Sequence, residues 1–205
     1  VWFSRGIHHH YGSEKFFPEC SQDVFSKLIS EVDAAQLPLN QGEAKEAFIA
    51  RLMPIIYDPK IAPKKVSLDS KKDLILNSAV NFYEGVNQQE AIAFYEKMVD
   101  KKDTTPVMIG LNSKLVKENG VIVEKVWKVG GMYTQAIEKI VYWLEKAVTV
   151  AENAEQKDAL QKLVTFYKSG SLKDFDTYNI AWVKDTQSAI DVTNGFIEVY
   201  EDPLG

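Results

Sequence analysis

The feature that most constrains the fold is Asn119-Gly120, set between Leu115-Val116 on one side and Val121, Val123 and Val126 on the other. Asn-Gly accepts the two positive backbone angles of a type I′ turn, so the surrounding runs read as a β-hairpin. Gly130-Gly131 breaks the second strand, and the period then changes from two to helical. Ile137, Ile140, Val141, Leu144 and Val148 fall on one face of a helix expected from about Tyr133 to Ala151. Leu160, Leu163, Val164 and Tyr167 mark another, stopped near Gly170. A hairpin followed by helices points to an α+β fold.

Upstream, the signals are mainly helical. Ser21 is a cap for a helix carrying Val24, Leu28, Ile29 and Val32, with Leu37-Pro38 as its end. Ala44, Ala47, Phe48 and Leu52 form the apolar face of a second, with Pro54 near its end. Residues 57 to 65 hold Asp58-Pro59 and Pro63 and read as an extended connection. Leu74, Ile75, Val80 and Phe82 suggest a further helix, and Asn87 with Glu90 forms a capping box ahead of Ala91, Phe94, Tyr95 and Met98. From Phe196 the side chains sort by strand period, Phe196, Glu198 and Tyr200 against Ile197 and Val199, so a terminal strand is expected. The expected architecture is mainly α-helical with a β-hairpin and a terminal strand.

The 205 residues suit one domain or one lobe of something larger. A net charge of -5 without a Lys/Arg cluster argues against a nucleic-acid partner. No apolar run approaches the roughly 20 residues of a membrane helix. The chain starts inside an aromatic phrase and stops after a strand-turn phrase, so it reads as a fragment. Cys20 is the single cysteine, which rules out an internal disulfide and a thiolate metal cluster.

Few residues offer chemistry. The only histidines, His8, His9 and His10, are consecutive and cannot all face one ion from a regular element. They read as cleft-lining or structural, with adventitious metal binding as the other possibility. Cys20 has no adjacent base, and no Gly-x-Ser-x-Gly elbow is present. Gly130-Gly131 before a helix reads as a helix entry in preference to an anion cradle. Asp191 and Thr193 share one face if a strand begins at Ile190. Asp191 could then hold a substrate ammonium. On spacing alone, a turn at Asn194-Gly195 with Asp191 solvated is the stronger alternative.

Three phrases bear on that choice. Gly6-Ile7-His8-His9-His10-Tyr11-Gly12-Ser13-Glu14-Lys15-Phe16, Trp182-Val183-Lys184-Asp185 and Asp191 followed by Gly195-Phe196-Ile197-Glu198, Tyr200, Asp202 and Pro203 occur in this order. The first resembles Gly-Asn-Tyr-Lys-Ser-Phe-Gly-Asp-Thr-Lys-Phe, the second Trp-Ile-Gln-Asp and the third Gly-Phe-Ile-Glu-x-Tyr-x-Asp-Pro of the dipeptidyl peptidase III family of zinc metallopeptidases.

The resemblance implies a two-lobed enzyme that removes dipeptides from the amino terminus of short peptides. It places residues 1–205 in the amino-terminal, lower, non-zinc lobe as a single fragment. Tyr11 then matches an aromatic that lines the substrate cleft, and Asp191 stands where animal members have the glutamate that binds the free amino group. Thr193 and Asn194 complete the implied substrate-binding set. Thr193 replaces a substrate-binding tyrosine, and His8 to His10 replace Tyr-Lys-Ser, departures that suggest a bacterial branch. The zinc motif His-Glu-x-x-x-His is absent here, so zinc is expected in the full-length parent and none in the fragment, which is expected to be inactive alone. The implied partners are short peptides and the zinc-bearing lobe, with neither nucleic acid nor membrane, and a cytoplasmic location is favoured. The competing expectation is a non-catalytic helical peptide-binding or scaffold module.

Overall fold

A computed structural model describes residues 7–9, 13–106, 108–195 and 201–205. They divide into two compact units, one within Val1–Val80 joined by Glu201–Leu204, the other within Asn81–Tyr200 with Gly205.

In the first unit, the chain doubles back through an antiparallel bridge between His8 and Lys15, and Glu14 bridges Lys64. Lys15 is buried, and its ammonium donates to the carbonyls of Asp58 (2.7 Å) and Ile61 (2.9 Å). These bonds hold the 58–61 turn, and burial pushes the Lys15 pKa down. Helix α1 (Gln22–Glu31) starts at Ser21, whose hydroxyl accepts from the Val24 N–H, as the sequence suggested.

The end of α1 differs from expectation. It stops at Glu31, well before Leu37-Pro38, because the Asp33 carboxylate accepts from the Ala35 N–H and starts a separate 3₁₀ turn at Ala34–Gln36. The Lys45 ammonium takes up the freed carbonyls of Ser30 and Val32. Helix α2 (Lys45–Tyr57) runs through Pro54 to Tyr57 and buries Phe48 and Ile56.

No helix forms around Leu74, Ile75, Val80 and Phe82. A single turn forms at residues 74–77, with the Asn77 N–H donating to the Asp73 carbonyl (3.2 Å), and side chains bond around it. The Asp73 carboxylate accepts from the Leu76 N–H (2.9 Å), while the Ser78 hydroxyl donates to the Leu74 carbonyl (2.6 Å) and the Asn77 amide to the Asp73 carbonyl (2.8 Å). Short polar side chains thus capture the groups that a second turn would need.

The second unit opens with β1 (Tyr83–Glu84), which pairs in parallel with β2 (Ser113–Glu118). A parallel pair needs a long crossover, and helix α3 (Gln88–Glu96) lies within it. The expected capping box is present: Asn87 Oδ1 accepts from the Glu90 N–H, and Glu90 Oε2 from the Asn87 N–H.

Strand β2 forms the predicted hairpin with β3 (Val121–Val126), in a register pairing Glu118 with Val121. Asn119 (φ 50°) and Gly120 (φ 82°) supply the positive angles of the turn.

Helices α4 (Thr134–Thr149), α5 (Ala154–Ser169) and α6 (Leu172–Lys184) enclose the main core, which includes Ile137, Val141, Leu144, Leu163, Phe166, Tyr167 and Phe175. Trp127 and Val129, which follow the hairpin, pack on it, and the Val129 N–H donates to the Tyr167 carbonyl. Helix α5 ends at Gly170 (φ 71°), where a Cβ would lie 2.6 Å from Val126 Cγ1. That closeness to β3, as well as the left-handed angle, explains the glycine.

Helix α6 went unrecognised in the sequence. Its start signal is nevertheless there, with Ser171 Oγ accepting from the Asp174 N–H. Phe175, Tyr178 and Ala181 are the residues it buries.

The structure is therefore mainly helical with a small three-stranded sheet, an α+β arrangement. The terminal strand expected from Phe196 to Tyr200 lies outside the described residues. Residues 190–195 join no strand, so the expectation of a strand beginning at Ile190 is not met. Among the described residues, no helix is long and apolar enough to cross a membrane.

Candidate functional site

The carboxyl ends of α4 and α6 meet the amino end of α5, and residues 185–192 run across them. Together they enclose a cavity of about 260 Å³. Ala147, Val150, Ala159, Leu160 and Val192 give it apolar walls, and the rings of Tyr178 and Trp182 face it. Glu152, Asp185 and Asp191 also line it, whereas no Lys or Arg does among the described residues. An apolar pocket with carboxylates and no opposing cation suits an amine carried on an apolar body.

The three carboxylates are engaged differently. Asp185 accepts from the Ser188 hydroxyl (2.6 Å), the Ser188 N–H (3.2 Å) and the Asn153 amide (3.4 Å). The Ser188 hydroxyl is the main reason its carboxyl titrates below the ordinary range. Glu152 uses one oxygen for the Ala189 N–H (2.9 Å) and the other for the Ile190 N–H (3.0 Å). These two amides, Ala189 first, likewise hold the Glu152 pKa down.

Asp191 accepts one bond, from the Trp182 indole N–H to Oδ1 at 2.7 Å. No described residue donates to its second oxygen. Of the three carboxylates it is thus the one with an oxygen that takes no hydrogen bond from any described residue, which leaves it the most open to a ligand.

The segment that carries Asp191 is held by side chains from α5 and α6 in place of a strand ladder. Asn153 donates to the Ser188 hydroxyl, Gln156 to the Ile190 carbonyl, and the Tyr178 hydroxyl to the Val192 carbonyl. Tyr167 donates to Asn194 Oδ1. Burial raises the Tyr167 pKa to about 12, so the hydroxyl stays a donor. These side-chain bonds fix an extended backbone whose residues 189–193 are exposed.

Of the residues expected at the site, the structure brings Asp191 to the cavity and leaves Asn194 half-buried beneath it in the chain, bonded to Tyr167. Thr193 is exposed and does not line the cavity. Tyr11 lies outside the described residues. Of the histidines, His8 is buried with Nε2 2.8 Å from the Ala62 carbonyl, a structural role, and His9 packs its ring against Phe16.

Sequence reasoning missed Glu152, Gln156 and Tyr178. Asn153 followed by Gln156 was a usable cap signal, since Asn153 Oδ1 accepts from the Gln156 N–H at 2.8 Å. Nothing in the sequence marked Glu152 as a partner of residues 189 and 190. Among the described residues, no group of three or more His, Cys, Asp or Glu side chains could hold a metal ion.

Comparison with known proteins agrees with the resemblance read from the sequence. The chain is 23% identical over 218 residues to dipeptidyl peptidase 3 of Dictyostelium discoideum, across 95% of this chain and 28% of that protein. It is 33% identical over 75 residues to dipeptidyl peptidase 3 of Rattus norvegicus, across 37% of this chain and 10% of the relative. The human protein of the same name is 32% identical over 75 residues. The chain thus spans little more than a quarter of the Dictyostelium relative's length. The family model described as Peptidase family M49 matches residues 68–205, a span that holds the hairpin, all three core helices and the cavity with Asp191. By that match, the chain belongs to peptidase family M49.

Proposed function

We propose that this chain is the substrate-binding part of a zinc-dependent exopeptidase that releases dipeptides from the amino terminus of short peptides. In this reading residues 1–205 form part of the non-zinc lobe, of the bacterial type, and Asp191 anchors the substrate's free ammonium. The observation that carries it is the oriented Asp191 carboxylate, one oxygen held by the Trp182 indole and the other open, at an apolar cavity lined, among the described residues, by no Lys or Arg. The names of the Dictyostelium and mammalian relatives support the reaction class.

Among the described residues none form a group that fits a zinc site, and this reading assigns the metal and the general base to the partner lobe. The part left to this chain is to bind and orient: Asp191 sets where the peptide begins, and Trp182 and Tyr178 wall the space beside it.

A charge-assisted hydrogen bond to the ammonium contributes about 1.5–3 kcal/mol. Asp191→Ala in the full-length enzyme is accordingly expected to raise KM for dipeptidyl substrates about tenfold or more while kcat holds, the signature of lost ground-state binding. Unchanged kinetics would remove Asp191 from the site. Titration with a short peptide bearing a free or an acetylated amino terminus separates this reading from a non-catalytic peptide-binding module, for which both forms bind equally.

A further inference from the structure

We infer that Glu152 is a positioning residue for Asp191, acting through the backbone of Ala189 and Ile190. The inference rests on the amine-anchoring reading of Asp191.

Glu152 lies in the short connection between α4 and α5, just before the Asn153 cap. Its two oxygens take one N–H each from the two residues that immediately precede Asp191. Both bonds are charge-assisted, the stronger class of hydrogen bond. The lowered pKa keeps Glu152 in the ionised form that can accept both at once. Gln156 closes the arrangement: its Oε1 accepts from the Glu152 N–H at 2.7 Å, and its Nε2 donates to the Ile190 carbonyl at 2.9 Å. Ile190 is thereby gripped through its N–H and its C=O.

Asp191 then inherits a fixed backbone from Glu152 and a fixed side chain from Trp182. This combination is what ammonium recognition needs, because a carboxylate on a loose extended segment loses part of its binding energy in being ordered. Glu152 engages both of its oxygens with backbone amides of the Asp191 segment, so its contribution is assigned to the placement of Asp191.

The test is a double-mutant cycle in the full-length enzyme, with kcat and KM measured for a dipeptidyl substrate. Glu152→Ala is expected to raise KM about tenfold with kcat within about twofold, and Glu152→Gln, which keeps one acceptor oxygen, about threefold. Added to Asp191→Ala, the Glu152→Ala change is expected to raise KM no further. Multiplying effects in the double variant, or a fall in kcat at constant KM, would overturn the inference while leaving Asp191 as the anchor. A wild-type KM for Asp191→Ala would instead overturn the anchoring reading. Glu152→Gln is nearly isosteric and keeps the cycle usable if the alanine variant fails to fold.

Discussion

Helices α1 and α5 make an instructive pair. Both begin at a side-chain cap and carry apolar residues at helical spacing, yet their fates differ. Val24 and Leu28 of α1 are 50% and 56% exposed, and none of its residues is buried. Leu163 and Phe166 of α5 are 0% and 1% exposed. Periodicity therefore specifies that a segment can form a helix with an apolar face. It does not specify that anything within the same chain covers that face.

The sharpest way to break this comparison is truncation in each helix. Phe166→Ala, which empties a site packed against Tyr167 and Phe175, is expected to cost about 3–5 kcal/mol in urea unfolding. Leu28→Ala is expected to change stability by less than about 0.5 kcal/mol. Similar losses at the two sites would mean that α1 is covered after all.

The caps give a smaller contrast. Asn87 and Glu90 exchange two bonds, at 2.9 and 3.1 Å, whereas Ser21 accepts one at 3.4 Å. Asn87→Ala is expected to cost about 1 kcal/mol and Ser21→Ala clearly less, as read from the shift in urea midpoint. The reverse order would show that cap geometry does not rank these helix starts.

The mildest probe is pH, which reads the two regions from opposite ends. Burial lifts Tyr167 to about 12 from 10.0, so above pH 10 the unfolded chain loses this proton before the folded one. That contribution is complete below pH 10 and declines as pH rises toward 12. Glu43, near the start of α2, is held at about 2 by the Arg51 guanidinium and the Asn40 N–H. Its contribution is present above the ordinary 4.5 and is lost as pH falls toward 2. Melting temperatures across pH should show Tyr167→Phe flattening only the alkaline limb. An unaltered alkaline slope in that variant would exclude Tyr167 as its source.

The same contrast explains how much was legible in the sequence. The hairpin turn at Asn119-Gly120, the Asn87 box and the Gly170 stop were readable because each is decided by backbone angles or by hydrogen bonds between near neighbours. The turn at residues 74–77 misled because its apolar spacing is helical while Asp73, Asn77 and Ser78 bond locally. Asp191 was reached through a resemblance. The environment that makes it interesting was not readable at all, since Glu152 lies far from Ala189 along the chain and Trp182 approaches it from another element.

The sequence by itself determined the elements decided by near neighbours, such as the Asn119-Gly120 hairpin, the Asn87 box and the Gly170 stop. Tertiary structure alone decided which apolar faces became core, and which of Glu152, Asp185 and Asp191 kept an open oxygen. The physical reason is range. Turn and cap energies are set by adjacent residues, whereas burial and the sharing of hydrogen-bond donors depend on segments that meet only when α4, α5 and α6 pack.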